Sequence, residues 1–180
     1  MGITGAPGVG KSTIAASLVA RLDSAALLPM DGYHYSQAHL VSLGRRDRMG
    51  APDTFDVEAF LGTLRDLYIS GGPVFAPRFD REIEESVPDA IALQPELQTI
   101  VVEGNYLLLD SGLWSEVAPL LDETVFVDLD DGIRQSRLIE RHVRFGKSEV
   151  DARAWALGPD ESNARIIAAT RSRAHHYLAL

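Results

Sequence analysis

Residues 5–12 read GAPGVGKS, and their types and spacing describe a cradle for phosphate. Gly5, Gly8 and Gly10 let the backbone approach phosphate oxygens and turn its N–H groups inward. A helix beginning at Lys11 adds the positive end of its dipole. The Lys11 ammonium can reach the terminal phosphates, and the Ser12 hydroxyl can take a place on Mg²⁺. The loop Gly5, Ala6, Pro7, Gly8, Val9, Gly10, followed by Lys11, Ser12 and Thr13, is the expected seat of a nucleoside triphosphate.

Two carboxylates stand at the ends of apolar runs. TIVVE, residues 99–103, closes on Glu103. In a parallel sheet the C-terminal strand ends face the ligand crevice, so Glu103 is expected beside the loop, on the protein side of a metal. LLPMDGYHYS, residues 27–36, puts Asp31 at the same address. Asp-Gly is also a strong turn signal, and a turn needs no chemistry. The acceptor decides between these readings. A phosphate acceptor is already anionic and needs no base. A switch protein that activates water would carry a guanine-reading N-K-x-D, and none occurs. An alcohol must lose a proton, which a carboxylate aimed at the γ phosphate receives. Asp31 is therefore read as a general base.

The elements that must hold these groups follow from periodicity. Apolar runs at 1–4, 25–30, 99–103, 124–128 and 177–180 are continuous rather than alternating, as in strands covered on both faces. Between them, Ile14, Leu18 and Leu22 repeat every four residues, and Val57, Phe60, Leu61, Leu64 and Leu67 form a second stripe. Ile133, Arg137 and Arg141 share a face of a third helix, and Ile166, Ile167 and Thr170 fall in a fourth. Strand and helix in alternation predict a parallel α/β sheet in one domain over residues 1–180. Residues 71–93, rich in glycine and proline, are expected as a small hairpin outside the sheet. The first strand has four residues before the loop, so either it is clipped or the true start lies upstream.

Composition narrows the function further. With 46% hydrophobic and 24% charged residues the chain can bury a real core. There are no cysteines, which excludes disulfides, thiolate zinc sites and cysteine nucleophiles. No run approaches a membrane span and no export signal is visible, so a cytoplasmic protein is expected, without a membrane partner. A formal charge of −9 disfavours nucleic acid. Yet arginines cluster at 45, 46 and 48, at 78 and 81, and at 134, 137, 141 and 144, while Lys11 and Lys147 are the only lysines. A small anionic ligand held inside an acidic protein fits both facts. Arg45, Arg46 and Arg48 are compatible with an anionic acceptor or with a solvated loop. Oligomeric state is unreadable, and a homodimer stays open.

Taken together, GAPGVGKST, MDGYHY, GAPDTFD, PRFDR, VVEGNYLLLD and RLIERHVRFGKS resemble the uridine kinase, phosphoribulokinase and pantothenate kinase group of P-loop kinases. The likeness is nearest to its bacterial nucleoside kinase-like branch, also labelled fructose transport system kinase. It implies an α/β/α sandwich with a five-stranded parallel sheet of order 2-3-1-4-5, and a hairpin at 71–93 that helps form the acceptor pocket. It implies ATP and Mg²⁺ as cofactors, Ser12, Glu103 and Asp31 around the metal, and Asp31 as the base. Arg137, Arg141 and Arg144 match a lid, residues 134–150, that closes over the phosphates. Tyr33 and His34 would line the pocket. Asp56 matches an acid that binds an acceptor hydroxyl, or simply caps the helix at 57–68. Arg78 and Asp80 match the acceptor side, or pair with each other.

The resemblance has gaps. Further acceptor segments of the pantothenate branch are absent, and the aromatic and histidine set of the uridine branch has no clear counterpart. The expected activity is transfer of the γ-phosphate to a hydroxyl of a small metabolite, a nucleoside, sugar or pantothenate-like alcohol. A nucleotide-dependent switch without an acceptor, and a nucleoside monophosphate kinase, are the competing readings.

Overall fold

The computed structural model describes residues 1–180. In chain order its strands are β1 (Gly2–Thr4), β2 (Ala25–Pro29), β3 (Val74–Asp80), β4 (Glu85–Leu93), β5 (Thr99–Glu103), β6 (Thr124–Asp128) and β7 (His176–Ala179). Its helices are α1 (Lys11–Val19), α2 (Gln37–Ser42), α3 (Val57–Ile69), α4 (Asp131–Arg144), α5 (Glu149–Leu157) and α6 (Pro159–Ala168). Five strands make one parallel sheet in the order β2-β5-β1-β6-β7. Leaving out β3 and β4, this is the expected 2-3-1-4-5.

Successive strand residues point to opposite faces, which explains why the runs are apolar throughout. Val101 and Val127 join Ile3, Val9, Ala15 and Leu129 in a cluster on the α1 side. Their neighbours Val102 and Phe126 join Leu28, Phe60, Leu61, Leu64 and Trp114 in a larger cluster on the α3 side. The sheet is thus covered on both faces. The four-residue repeat reaches Leu22, but α1 stops at Val19 and Leu22 lies exposed beyond it. No helix is long and apolar enough to cross a membrane.

β3 and β4 pair antiparallel outside the main sheet, within the segment 71–93. This hairpin rests on a 3₁₀ turn, Met30–Tyr33, that follows β2. Gly32 makes the contact. A Cβ there would sit 2.2 Å from the Pro77 carbonyl oxygen, and the Ser86 hydroxyl donates to the Gly32 carbonyl. The glycine of MDGYHY is therefore needed for close approach as well as for turning.

The helices after β6 close the other side. At Gly8, where φ is +86°, a Cβ would meet the Arg134 carbonyl oxygen at 2.7 Å, so α4 lies directly on the glycine loop. Arg134 is 1% exposed. Its guanidinium donates to Asp131 Oδ1 (2.9 Å), to Glu161 Oε2 (2.5 Å) and to the Pro7 carbonyl (3.5 Å). One buried cation thereby ties α4 to α6 and to the back of the loop.

Candidate active site

The C-terminal ends of β2 and β5, the glycine loop and the start of α1 meet in a cleft of about 470 Å³. Pro7, Gly8, Gly10, Lys11, Ser12 and Thr13 line one end; Gly5, Ala6 and Val9 complete the loop behind them. Gly10 is left-handed, with φ +98°, and opens α1 without a side-chain cap. The first N–H groups of the helix are left to face the cleft, as an anion site requires.

Lys11 is 7% exposed and donates to the Ala6 carbonyl at 3.1 Å. Burial lowers its pKa, against the attraction of Glu103 and Asp31. Glu103 is buried, and its carboxyl is raised by that burial, with Lys11 opposing. The Ser12 hydroxyl donates to Glu103 Oε2 at 3.2 Å across 91 residues of sequence.

These oxygens fit Mg²⁺. With its proton turned to Glu103, the Ser12 oxygen keeps its lone pairs for a cation, and the second Glu103 oxygen is free. The chain contains no cluster of three or more His, Asp or Glu able to cage a metal. Mg²⁺ needs none, since it keeps waters and shares its remaining positions with substrate phosphates. Ser12 and Glu103 would hold it.

Asp31 sits in the 3₁₀ turn two residues past β2, not in the strand itself, and its side chain lines the same cleft. Arg81 donates to Asp31 Oδ2 at 2.8 Å, while Oδ1 has no partner. Burial works against the Asp31 charge, but His34, Arg81, Lys11 and Arg141 together hold its carboxyl below the ordinary value. His34 Nδ1–H donates to the Asp31 carbonyl at 2.9 Å. Its ring lies between Phe55, 3.9 Å away by centroids, and Phe79, 5.0 Å away.

From α4, Arg137, Arg141 and Arg144 reach the cleft, and the loop after the helix adds Phe145 and Lys147. The segment 134–150 is thus most of α4, a short loop and the start of α5. None of the three arginines has a carboxylate partner. Burial lowers the Arg141 pKa, and the like charge of Arg81 adds to the effect.

The family model for the phosphoribulokinase / uridine kinase family matches residues 1–152. The chain belongs to that family. An ATP-dependent kinase-like protein, notR', from Aspergillus versicolor is 42% identical over 125 residues, 65% of this chain and 73% of its own. The uridine kinase of Leuconostoc citreum (strain KM20) is 34% identical over 79% of this chain and 68% of its own. Among solved structures, a candidate fructose transport system kinase from Silicibacter sp. TM1040 superposes with a TM-score of 0.91 at 34% identity, over 98% of this chain and 87% of its own. The chain is a P-loop kinase acting on a small molecule.

Not every residue singled out in the kinase sequence faces the cleft. Tyr33 is buried, and its hydroxyl donates to Thr63 at 2.7 Å. Asp56 caps α3, accepting from the Ala59 N–H at 2.9 Å. Arg78 is exposed on the outer side of the hairpin, and Asp80 accepts from the Glu82 N–H in its turn. The cleft instead receives Phe79 and Arg81.

A register shift between Ala76 and Arg78 is the cause. Simple alternation carries the inward face from Val74 and Ala76 to 78 and 80. The ladder breaks there, since Ala76 pairs with Ile91 but Arg78 with Val87, so that Pro77 alone stands against residues 88–90 of β4. Beyond the break Arg78 is exposed while Phe79 and Arg81 reach the cleft. Pro77 and Pro88, neither of which has an N–H to pair, lie at that break and were the signals available for it. Glu84, Asn105, His142, Asp160 and Asn163 also line the cleft without having been legible, and of the arginines at 45, 46 and 48 only Arg46 lines it. Arg45 and Arg48 turn away to Asp53.

Proposed function

We propose that this kinase transfers the terminal phosphoryl group of ATP to a hydroxyl of a small metabolite, with Asp31 accepting the hydroxyl proton. The observation that carries the reading is the position of Asp31. Its carboxylate opens into the cleft that also holds Lys11, Ser12 and Glu103, and one of its oxygens is unengaged.

Phosphoryl transfer asks mainly for positioning and for charge neutralisation around the moving group. The loop N–H groups and Lys11 grip the phosphates. Mg²⁺, when bound at Ser12 and Glu103, offsets the charge of the phosphate oxygens. Arg141, with Arg137 and Arg144, supplies further cations from the α4 side. Asp31 Oδ1 accepts the proton as the acceptor oxygen bonds to phosphorus. A carboxylate held below its ordinary pKa stays ionised at neutral pH, ready for that proton.

The test is Asp31→Asn, which keeps the shape and removes the charge. Transfer to any alcohol should fall by about 10²-fold or more, with ATP affinity within a few-fold of the parent. Undiminished transfer would remove Asp31 as base.

A further inference from the structure

We infer that the acceptor carries an anionic group beside its reactive hydroxyl, as a hydroxy acid or a phosphorylated polyol does, and that Arg81 and Arg46 select it. This rests on the transfer reading above and names its substrate class.

The cations of the cleft fall into two sets on different walls. Arg137, Arg141 and Arg144 come from α4, and with Lys11 they suffice for one triphosphate. Arg81 comes from the hairpin and Arg46 from the turn before α3, and these form the acceptor wall with His34, Phe79, Glu84, Met49 and Gly50. A second anion is what this second set is suited to hold.

Each of the two guanidiniums is fixed by one edge and open at the other. Arg81 spends Nη2 on Asp31 Oδ2, at 2.8 Å, and Arg46 spends Nη2 on Glu84 Oε2, at 3.0 Å. An arginine has five N–H donors in a planar fork, and in neither residue do the remaining donors have a protein partner. Arg81 is 44% exposed, so its free edge is accessible from the cleft. Glu84 of this wall and Oδ2 of Asp31 beside it are engaged by these arginines. Asp56, the acid expected from the sequence to bind an acceptor hydroxyl, is engaged in capping α3.

The aromatic rings point the same way. A nucleobase is held well by an open ring face. His34 lies between Phe55 and Phe79, Phe79 has the Arg81 guanidinium 6.0 Å from its centre, and Lys147 stands 4.8 Å over Trp155. Phe145 is the one ring of the cleft without such a neighbour, and it follows α4 rather than the hairpin. The acceptor wall offers charge and no stacking platform. Like-charge repulsion of Arg81 on Arg141 and on Lys11 shows the hairpin and lid cations facing a shared space, which an anionic ligand would relieve.

The experiment is coupled ADP release with ATP and Mg²⁺ against three sets: hydroxy acids (glycerate, gluconate), phosphorylated polyols (glycerol 3-phosphate, fructose 6-phosphate) and neutral alcohols (uridine, fructose, glycerol). A member of the first or second set should exceed every neutral one in kcat/KM by about 10-fold or more, and the set that responds identifies carboxylate or phosphate as the anion. Arg46→Met should raise the KM of that acceptor by about 10–100-fold, with kcat and the KM for ATP within about threefold. Arg81→Met, which also removes the partner of Asp31 Oδ2, should raise the same KM and lower kcat as well. Arg81→Lys should recover part of the loss. An unchanged KM for ATP and an unchanged melting temperature show that the variants are folded.

Neutral acceptors preferred, with turnover abolished by Asp31→Asn, would overturn the anionic selection and leave the kinase mechanism standing. An acceptor KM within about threefold of the parent in both Arg46→Met and Arg81→Met would also overturn it, leaving Arg81 only its contact with Asp31. If no member of any set is phosphorylated or binds, by calorimetry on the ATP-loaded protein, both the selection and the alcohol-transfer reading fail.

Discussion

Arg141 illustrates how much of this site is decided side chain by side chain. It is half-buried in the cleft with no carboxylate to balance it, and its pKa is lowered first by burial and then by Arg81. A cation kept so is suited to negative charge arriving opposite it, and the moving phosphoryl group carries charge spread over its equatorial oxygens. Arg141→Ala should therefore lower kcat by about 10²-fold while leaving the acceptor KM within a few-fold. Steady-state kinetics varying each substrate in turn would separate the two. A KM effect alone would mean that Arg141 binds ground-state ligand. Asp31 is the complementary case: Arg81, Lys11 and Arg141 help hold its carboxyl below the ordinary value against burial, and one of its oxygens has no protein partner.

At the scale of elements, the caps and the ion pair behind the glycine loop determine where these side chains stand. Asp56 accepts from the Ala59 N–H and Asp130 from the Ile133 N–H, which starts α3 and α4 at defined residues. If capping is the whole role of Asp56, Asp56→Ser should leave both kcat and stability near the parent, and Asp56→Ala should cost about 1 kcal/mol in denaturant unfolding with kcat unchanged. Loss of activity in a stable Asp56→Ser protein would instead reveal a ligand contact.

Arg134 binds Glu161 across α4 and α6. Burial pushes the Glu161 carboxyl up, but the hydrogen bonds from Arg134 and Gln135 outweigh it and leave the pKa below the ordinary value. A depressed carboxyl contributes stability above its unfolded pKa, near 4.3 for glutamate, and loses it as pH falls through the lower folded value. Glu161→Gln should thus be less stable than the parent at pH 7, and the gap should close on titration from about pH 5 downward. Parallel curves for the two proteins would show that the pair contributes no linkage.

For the molecule as a whole, a chain of charge −9 gathers five cations without a carboxylate partner, Lys11, Arg137, Arg141, Arg144 and Lys147, around one cleft. That arrangement holds unpaired positive charge in place, and a bound triphosphate relieves it. ATP with Mg²⁺ at 100 times Kd should add about 2.7 kcal/mol, or about 5–10 °C in melting temperature for a chain of this length. Thermal melts with and without ligand would show the shift, and chelation with EDTA should shrink it. Lys11→Met should abolish most of it.

Much of the fold was legible because it rests on local rules. Continuous apolar runs mark strands buried on both faces, and the glycine loop, Lys11 and Ser12 are contiguous, so their geometry is set by a few backbone dihedrals. Glu103 and Asp31 were legible for a related reason: the end of a parallel strand has one address, whichever strand it is. The hairpin was harder. Strand alternation predicts the faces of residues 78 to 81 only while the ladder is regular, and past the break between Ala76 and Arg78 it is Phe79 and Arg81 that reach the cleft.

By itself, then, the order of residues was enough to specify a triphosphate loop, a parallel α/β sheet and two acids at its active edge, since each of these depends on neighbours in the chain. Only the tertiary structure decided which arginines are spent and which are free. Arg134 is consumed by Asp131 and Glu161, Arg45 and Arg48 by Asp53, while Arg81 is brought to Asp31 from 50 residues away. Charge pairing acts through space over a few ångströms, and distance in space between remote segments is set by packing, which no local pattern records.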